Sequence, residues 1–236
     1  YHETNHHYAD NQNYVFQKAK DIRAIFLTHA HDDHIGLLPS LIENGFSGKI
    51  YCTEATAKLS KVMLEDAMRI KGKNDKEIST VIDKMQFNPI DTRAGFLFGD
   101  AKHSILIDDG LFVYPFRTSH ILGSCSFAFT WMKEKKQQNQ ESPYEHLVSI
   151  YFSGDVGSCD ELLVKEGNAQ SILLKDFAIP YYSKTNQYIV LESTYGDRVR
   201  NKEKVFDKRI EALSSIISKT KEKGGRVFIP TFALNS

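Results

Sequence analysis

The sequence has few cysteines, no excess of either charge and no long apolar run, and each shortage removes a class of protein. Three cysteines among 236 residues, Cys52, Cys125 and Cys159, are an odd number without Cys-x-x-Cys spacing. Neither a disulfide framework nor a thiolate metal cluster is expected, and the thiols read as reduced cysteines of a cytoplasmic protein. Thirty Lys and Arg balance thirty Asp and Glu, which excludes a uniformly basic nucleic-acid binder while leaving room for a local basic patch. No stretch approaches the roughly 18 apolar residues of a membrane span, and no signal-peptide core is visible, so no membrane partner is expected. No internal repeat is evident. The length suffices to bury a full core, as one large domain or one plus a fragment. The chain opens on Tyr1 rather than Met, and it reads as a piece of a longer protein.

What is present is a cluster of metal-binding side chains. Residues 22–36, IRAIFLTHAHDDHIG, open with an apolar run, Ile22–Leu27, that predicts a strand buried on both faces. His29, His31, Asp33 and His34 follow within six residues, and a helical pattern begins at Gly36-Leu37-Leu38. The cluster therefore falls on a strand-to-helix turn. His29 and His31, two apart, point to one side of an extended segment, while Asp33 and His34 serve a second point nearby. Borderline-soft imidazole with a carboxylate suits Zn²⁺, or Mn²⁺ and Fe²⁺ where the other ligands are oxygens. The pattern His-x-His-x-Asp-His resembles the signature of the metallo-β-lactamase fold superfamily. The resemblance implies an α/β fold, an αββα sandwich, carrying a two-metal hydrolytic centre.

The rest of the chain supplies further elements. Residues 1–17, with His2, His6 and His7, read as a polar loop. A helix closing at Asn44-Gly45 is followed by a strand at Lys49–Thr53 and an amphipathic helix over Glu54–Ile70. Asn74-Asp75 caps a second helix with Ile78, Val81, Ile82 and Met85 on one face. Two short strands flank Asp108-Asp109-Gly110, a hairpin signal. A strand over Ser126–Met132, a charged loop over residues 133–146 and a strand over Leu147–Phe152 follow. His103 and His146 are unframed by strands and are not expected as ligands. Segments 172–174 and 177–179 are too short to assign. Gln187–Leu191 is another strand. A helix over 201–223 turns Val205, Phe206, Ile210, Leu213, Ile216 and Ile217 inward and stops at Gly224-Gly225. Arg226–Phe232 reads as a last strand.

Four strands thus end in polar candidates: the first cluster, then His120, Asp155 and Glu192. Side chains delivered from strand ends at one rim of a sheet are held more rigidly than loop residues. His29, His31 and His120 group around one metal, Asp33 and His34 hold a second, and Asp155 bridges both. His120 in SHILGS, Asp155 in FSGD, Glu192 in LESTYGD and the segment GGRVFIPTFAL together resemble the β-CASP branch of that superfamily, over residues 22 to the chain end. That branch includes RNase J, the mRNA 3′-end processing endonuclease and DNA-repair nucleases. The resemblance implies a metallo-β-lactamase domain over residues 1–197, incomplete at its N-terminus, and the beginning of a β-CASP domain over 198–236.

The resemblance further implies a phosphodiesterase that uses two zinc ions, with Mn or Fe as substitutes, to activate the attacking hydroxide. Asp33 and Asp155 orient the nucleophile, and Glu192 is a catalytic group behind the leaving-group imidazole. Two histidines that the family supplies later in its chain are not in this sequence, so the piece alone is expected to be inactive. Glu rather than Asp at 192 resembles the RNA-processing members. Single-stranded RNA is the leading substrate, with DNA the alternative; endo- and exonuclease action are both open, as is oligomeric state. Ser193, Thr194 and the following helix start offer phosphate contacts, although helix capping explains them equally. Residues 198–226 hold ten Lys/Arg against four Asp/Glu, enough to track a phosphate backbone or to form a solvated helix face. Tyr181, Tyr182 and Tyr195 are candidates for base stacking or for packing. A catalytically silent scaffold of the same fold is the rival from outside the enzymes.

Overall fold

The computed structural model describes residues 13–92, 105–108, 110–134, 144–157, 186–194, 196–197, 205–231 and 234. His2, His6, His7, His103, Cys159, Tyr181, Tyr182, Tyr195 and the apolar segments 172–174 and 177–179 lie outside them. The chain divides into two compact units, Tyr1–Glu192 and Ser193–Ser236.

The first unit is built on two sheets. A parallel sheet has the order β1-β2-β3, with β1 at Ala24–Phe26, β2 at Lys49–Thr53 and β3 at Gln86–Ile90. A five-stranded sheet runs β4-β5-β6-β7-β8. Its strands are β4 Ile105–Asp108, β5 Leu111–Arg117, β6 Cys125–Glu134, β7 Tyr144–Phe152 and β8 Asn186–Val190. Neighbours in it are antiparallel except for the parallel pair β7 and β8.

The helices of this unit are α1 Asp32–Ile35, α2 Leu38–Glu43, α3 Glu54–Ile70 and α4 Asp75–Asp83. Thr53 caps α3 by accepting from the Thr56 N–H. Asn74 and Glu77 form a reciprocal capping box on α4, at 3.0 and 2.8 Å, which satisfies two otherwise orphaned N–H groups. The expected helices and their caps are therefore where the apolar spacing puts them.

Helices pack on the outer face of the small sheet. Leu38, Ile42, Ile50, Leu64, Met68, Ile78 and Val81 form the core between them. The two sheets face each other through Phe26, Val113, Cys125, Phe127 and Phe129, with Phe26 stacked on Tyr51 and edge-on to Phe127 and Phe129. Strand alternation sends Phe112, Tyr114 and Phe116 to the opposite face of the large sheet, where they are buried with Tyr151. Helix layer, sheet and sheet give three layers of the αββα sandwich anticipated from the sequence; among the described residues of this unit no helix lies on the outer face of the large sheet.

Several expectations change. The first strand is only Ala24–Phe26 and half-buried, and among the described residues β1 has one neighbour, β2; Leu27, just beyond it, is buried. Residues 13–17 are helical rather than loop, with Val15 and Phe16 packed on the core. β3 is not legible in the sequence because Asn88-Pro89 breaks the strand pattern, yet Pro is tolerated on an edge strand, and among the described residues β3 pairs with β2 alone. β6 and β7 extend through Glu134 and from Tyr144, so the expected loop over 133–146 is shorter, and His146 pairs with Met132 in the ladder.

The second unit contains α5, described over Val205–Glu222; the first residues of the expected helix, 201–204, lie outside the described residues. Gly224 ends it with a left-handed φ of 66°. Ile210, Leu213, Ile216 and Ile217 are about half exposed rather than inward, since the unit's other described residues form no layer against them. Residues 226–231 form no strand, and Phe228 and Ile229 are exposed. An apolar run becomes a strand only with a ladder partner, and none is present among the described residues.

Candidate metal centre

The site lies beyond the C-terminal ends of β1, β5, β7 and β8. Past β1, the Leu27 N–H donates to the Tyr51 carbonyl at 2.9 Å, and the Cys125 N–H donates to the Thr28 carbonyl at 2.8 Å. These bonds tie the ligand turn to both sheets. The His31 carbonyl then accepts from the N–H groups of His34 and Ile35 and opens α1. His29 and His31 are thus on the extended approach, while Asp33 and His34 are on the first helical turn.

His120 comes from the β5–β6 connection. Thr53 and Thr56, at the start of α3, both donate their hydroxyls to the Gly123 carbonyl, at 2.8 and 3.0 Å. Asp155 follows β7. The Ser119 N–H donates to the Val156 carbonyl at 3.0 Å, and the Thr118 hydroxyl donates to the Asp155 carbonyl at 3.2 Å. The two loops are therefore sewn together through these carbonyls, which fixes His120 beside Asp155.

The side chains converge. His31 Nδ1 is 3.1 Å from His29 Nε2 and 3.0 Å from His120 Nε2. Asp155 Oδ2 is 3.6 Å from His29 Nε2 and 3.3 Å from His120 Nε2. These four residues offer ligand atoms that all lie within 4.8 Å of one another. The other oxygen, Asp155 Oδ1, is 3.5 Å from His34 Nε2, which is itself 3.5 Å from Asp33 Oδ2. One carboxylate thus faces two clusters, one with each oxygen.

Burial first, and then the neighbouring His34, His120 and His31, push the His29 imidazole from its ordinary value of 6.5 down to about 2, so it is neutral with a lone pair to give. A single lone pair on His31 Nδ1 does not satisfy two neighbouring nitrogens. A cation among them draws one lone pair from each ring, and the donor set fits a metal on these grounds.

Glu192 is elsewhere in the constellation. Its Oε1 accepts the Val156 N–H at 2.6 Å, and its own N–H donates to Ser153 Oγ at 3.0 Å. The carboxylate braces the backbone one residue past Asp155 and is not among the converging ligand atoms. Ser193 and Thr194 are exposed in the second unit. The residues between them and the described part of α5, 198–204, lie outside the described residues, and with them the expected helix start. Sequence reading passed over Thr28, whose hydroxyl touches two of the histidines; a lone Thr between an apolar run and the first ligand carries no signal of its own. A cavity of about 680 Å³ opens beside His34, with Phe26, Phe127, Phe129 and Trp131 in its walls and the Arg23–Asp108 ion pair among its polar lining.

Residues 8–115 match the family model described as the metallo-beta-lactamase superfamily. Ribonuclease TTHA0252 of Thermus thermophilus is 28% identical over 91% of this chain and 41% of its own length. Transcription termination factor FttA of Methanocaldococcus jannaschii is 27% identical over 91% of this chain and 29% of its own. Endoribonuclease ysh1 of Schizosaccharomyces pombe is 25% identical over 90% and 24%. The chain spans less than half the length of these relatives. With the sandwich, the rim cluster and these likenesses together, the chain is similar to the metallo-β-lactamase superfamily and resembles its β-CASP branch.

Proposed function

We propose that the protein is a metal-dependent phosphodiesterase that hydrolyses single-stranded RNA. The observation that carries this reading is Asp155, whose two oxygens face His29 and His120 on one side and His34 on the other. His29, His31 and His120 would hold one cation, Asp33 and His34 the other, and Asp155 both; zinc suits this donor set best, with Mn or Fe as substitutes. When bound, such a pair lowers the pKa of a water and offsets charge on phosphoryl oxygens.

The chain's own residues do the rest. Asp33 and Asp155 would orient the attacking water as well as hold the cations, and the neutral His29 keeps its lone pair turned into the site. Glu192 holds the Asp155 loop in register through the Val156 N–H. Ser193 and Thr194 are assigned to a substrate phosphate, and the basic residues of 198–226 to the flanking backbone. RNA rather than DNA is supported by the relatives named ribonuclease and endoribonuclease. A boundary near residue 197 between the metallo-β-lactamase domain and a β-CASP domain is supported by the division of the chain at Glu192. The buried free thiols of Cys52 and Cys125 suit a reducing compartment, the cytoplasm. Among the described residues no helix is long and apolar enough to cross a membrane.

The test is cleavage of 5′-labelled single-stranded RNA, and of DNA of the same sequence, by the full-length protein. RNA cleavage is expected to disappear in chelator, to return with added zinc or manganese, and to exceed DNA cleavage by at least about tenfold, a difference near 1.4 kcal/mol. Equal rates on both would move the substrate to nucleic acid generally. Chelator-insensitive cleavage would remove the metal from the account.

A further inference from the structure

We infer that Thr28 is a positioning residue that sets the proton on one histidine of each proposed cation site at once; the inference rests on the reading of the site given above. Thr28 Oγ1 is 3.1 Å from His29 Nδ1 and 3.3 Å from His34 Nδ1. The opposite nitrogens of those rings, both Nε2, are the ones that face Asp155. A neutral imidazole has one N–H and one lone pair, so a ring that offers Nε2 to a cation carries its proton on Nδ1. A hydroxyl oxygen has two lone pairs. Thr28 therefore accepts both Nδ1–H groups, one from each ring, and keeps its own proton for solvent, which its half-buried position allows.

The rest of the structure holds Thr28 in place for this. Its carbonyl is bound by the Cys125 N–H, and a β-branched side chain is stiff about χ1. Gly154, next to Asp155, lies directly on it. A Cβ on Gly154 would come within 2.7 Å of Thr28 Cβ and 2.9 Å of Oγ1, at a left-handed φ of 55°. The loop that delivers the bridging carboxylate thus also fixes the rotamer of the hydroxyl that orients two rings. His29 and His34 are tilted against each other with centroids 4.0 Å apart, close enough for one small oxygen to serve both.

The experiment is made on full-length protein with ¹⁵N-labelled histidine, in wild type, Thr28→Val and Thr28→Ser. Long-range ¹H–¹⁵N spectra of the metal-free protein read the proton position on His29 and His34, assigned through the single His→Asn variants. Chelator competition reads zinc affinity. Wild type is expected to show Nδ1–H on both rings. Thr28→Val, which keeps shape and removes the hydroxyl, is expected to mix the tautomers and weaken zinc binding by about 10–100-fold. Thr28→Ser, which keeps the oxygen, is expected to restore both readouts to within about threefold. A proton on Nε2 of either ring in wild type would overturn the inference. So would a Val variant with unchanged affinity, or a Ser variant as impaired as Val. If Val does not fold, the wild-type spectrum and the Ser variant still decide. A wild type that binds no metal yet shows both Nδ1–H groups would sink the nuclease reading while leaving this one standing.

Discussion

Asp155→Asn in the full-length protein is expected to lower RNA cleavage by about 10³-fold or more while leaving the fold intact. The substitution keeps the side-chain volume but exchanges a carboxylate oxygen for an N–H₂ donor. Whichever way the amide turns, it aims N–H groups at one of the two clusters, His29 and His120 or His34, where an acceptor oxygen now lies. The ligand set loses one negative charge at the same time. Loss of a shared ligand withdraws several kcal/mol of charge stabilisation from the reaction, and each 1.36 kcal/mol is tenfold in rate. The bonds that hold the loop, from the Thr118 hydroxyl and the Ser119 N–H, go to main-chain carbonyls and survive the change. Circular dichroism and the melting temperature of the metal-free protein should therefore stay close to wild type. Cleavage within tenfold of wild type would show that the carboxylate is not shared.

Gly157→Ala is expected to cost about 2–4 kcal/mol of stability, far more than an ordinary surface substitution. Gly157 has a φ of 79°, where a non-glycine residue pays roughly 1–2 kcal/mol. The larger obstacle is space, because a Cβ there would press on the His120 backbone nitrogen and come within 2.5 Å of its Cα and 2.6 Å of the Ser119 carbonyl carbon. None of these is a flexible side-chain end, so the two loops must separate. Ser119 and Gly157 form a β-bridge at this point, the crossing that brings His120 to Asp155. The urea midpoint should fall accordingly, and zinc affinity should fall with it. A variant within about 0.5 kcal/mol of wild type would mean that the loops approach less closely than described.

The two predictions test different layers of the same design, and the layers were not equally visible in the sequence. His29, His31, Asp33 and His34 announce themselves because an apolar strand delivers them within six residues. His120 and Asp155 could be chosen because each follows a strand, so that strand ends would bring them to one rim. What holds them there could not be read. The Ser119–Val156 and Thr118–Asp155 hydrogen bonds depend on how two loops close, and Ser, Thr and Gly are ordinary loop residues in any sequence. Glu192 shows both sides of this. Its position at a strand end was legible, but its partner, the Val156 N–H, emerges only once β8 lies beside β7. Thr28 was hidden because it falls between the apolar run and the first histidine, where a threonine carries no signal of its own.

Errors in the elements have equally physical sources. Asn88-Pro89 conceals β3 because the rule against Pro in strands weakens at a sheet edge. The apolar spacing of Ile210, Leu213, Ile216 and Ile217 describes a helix faithfully, yet periodicity identifies a face that favours burial without supplying what covers it. The same holds for residues 226–231, whose composition is strand-like but which have no ladder partner among the described residues. Local pattern determines local conformation; pairing and burial need the rest of the structure.

The central claim is that one carboxylate joins two cation sites made by separate strands. It is tested most directly by an anomalous difference map from crystals of the metal-loaded full-length protein, collected at the absorption edge of the bound metal. Two peaks per chain are expected, one among His29, His31 and His120 and one beside Asp33 and His34, with Asp155 between them. A fully loaded protein with no peak on either side of Asp155, or with its metal held by other residues, would contradict it.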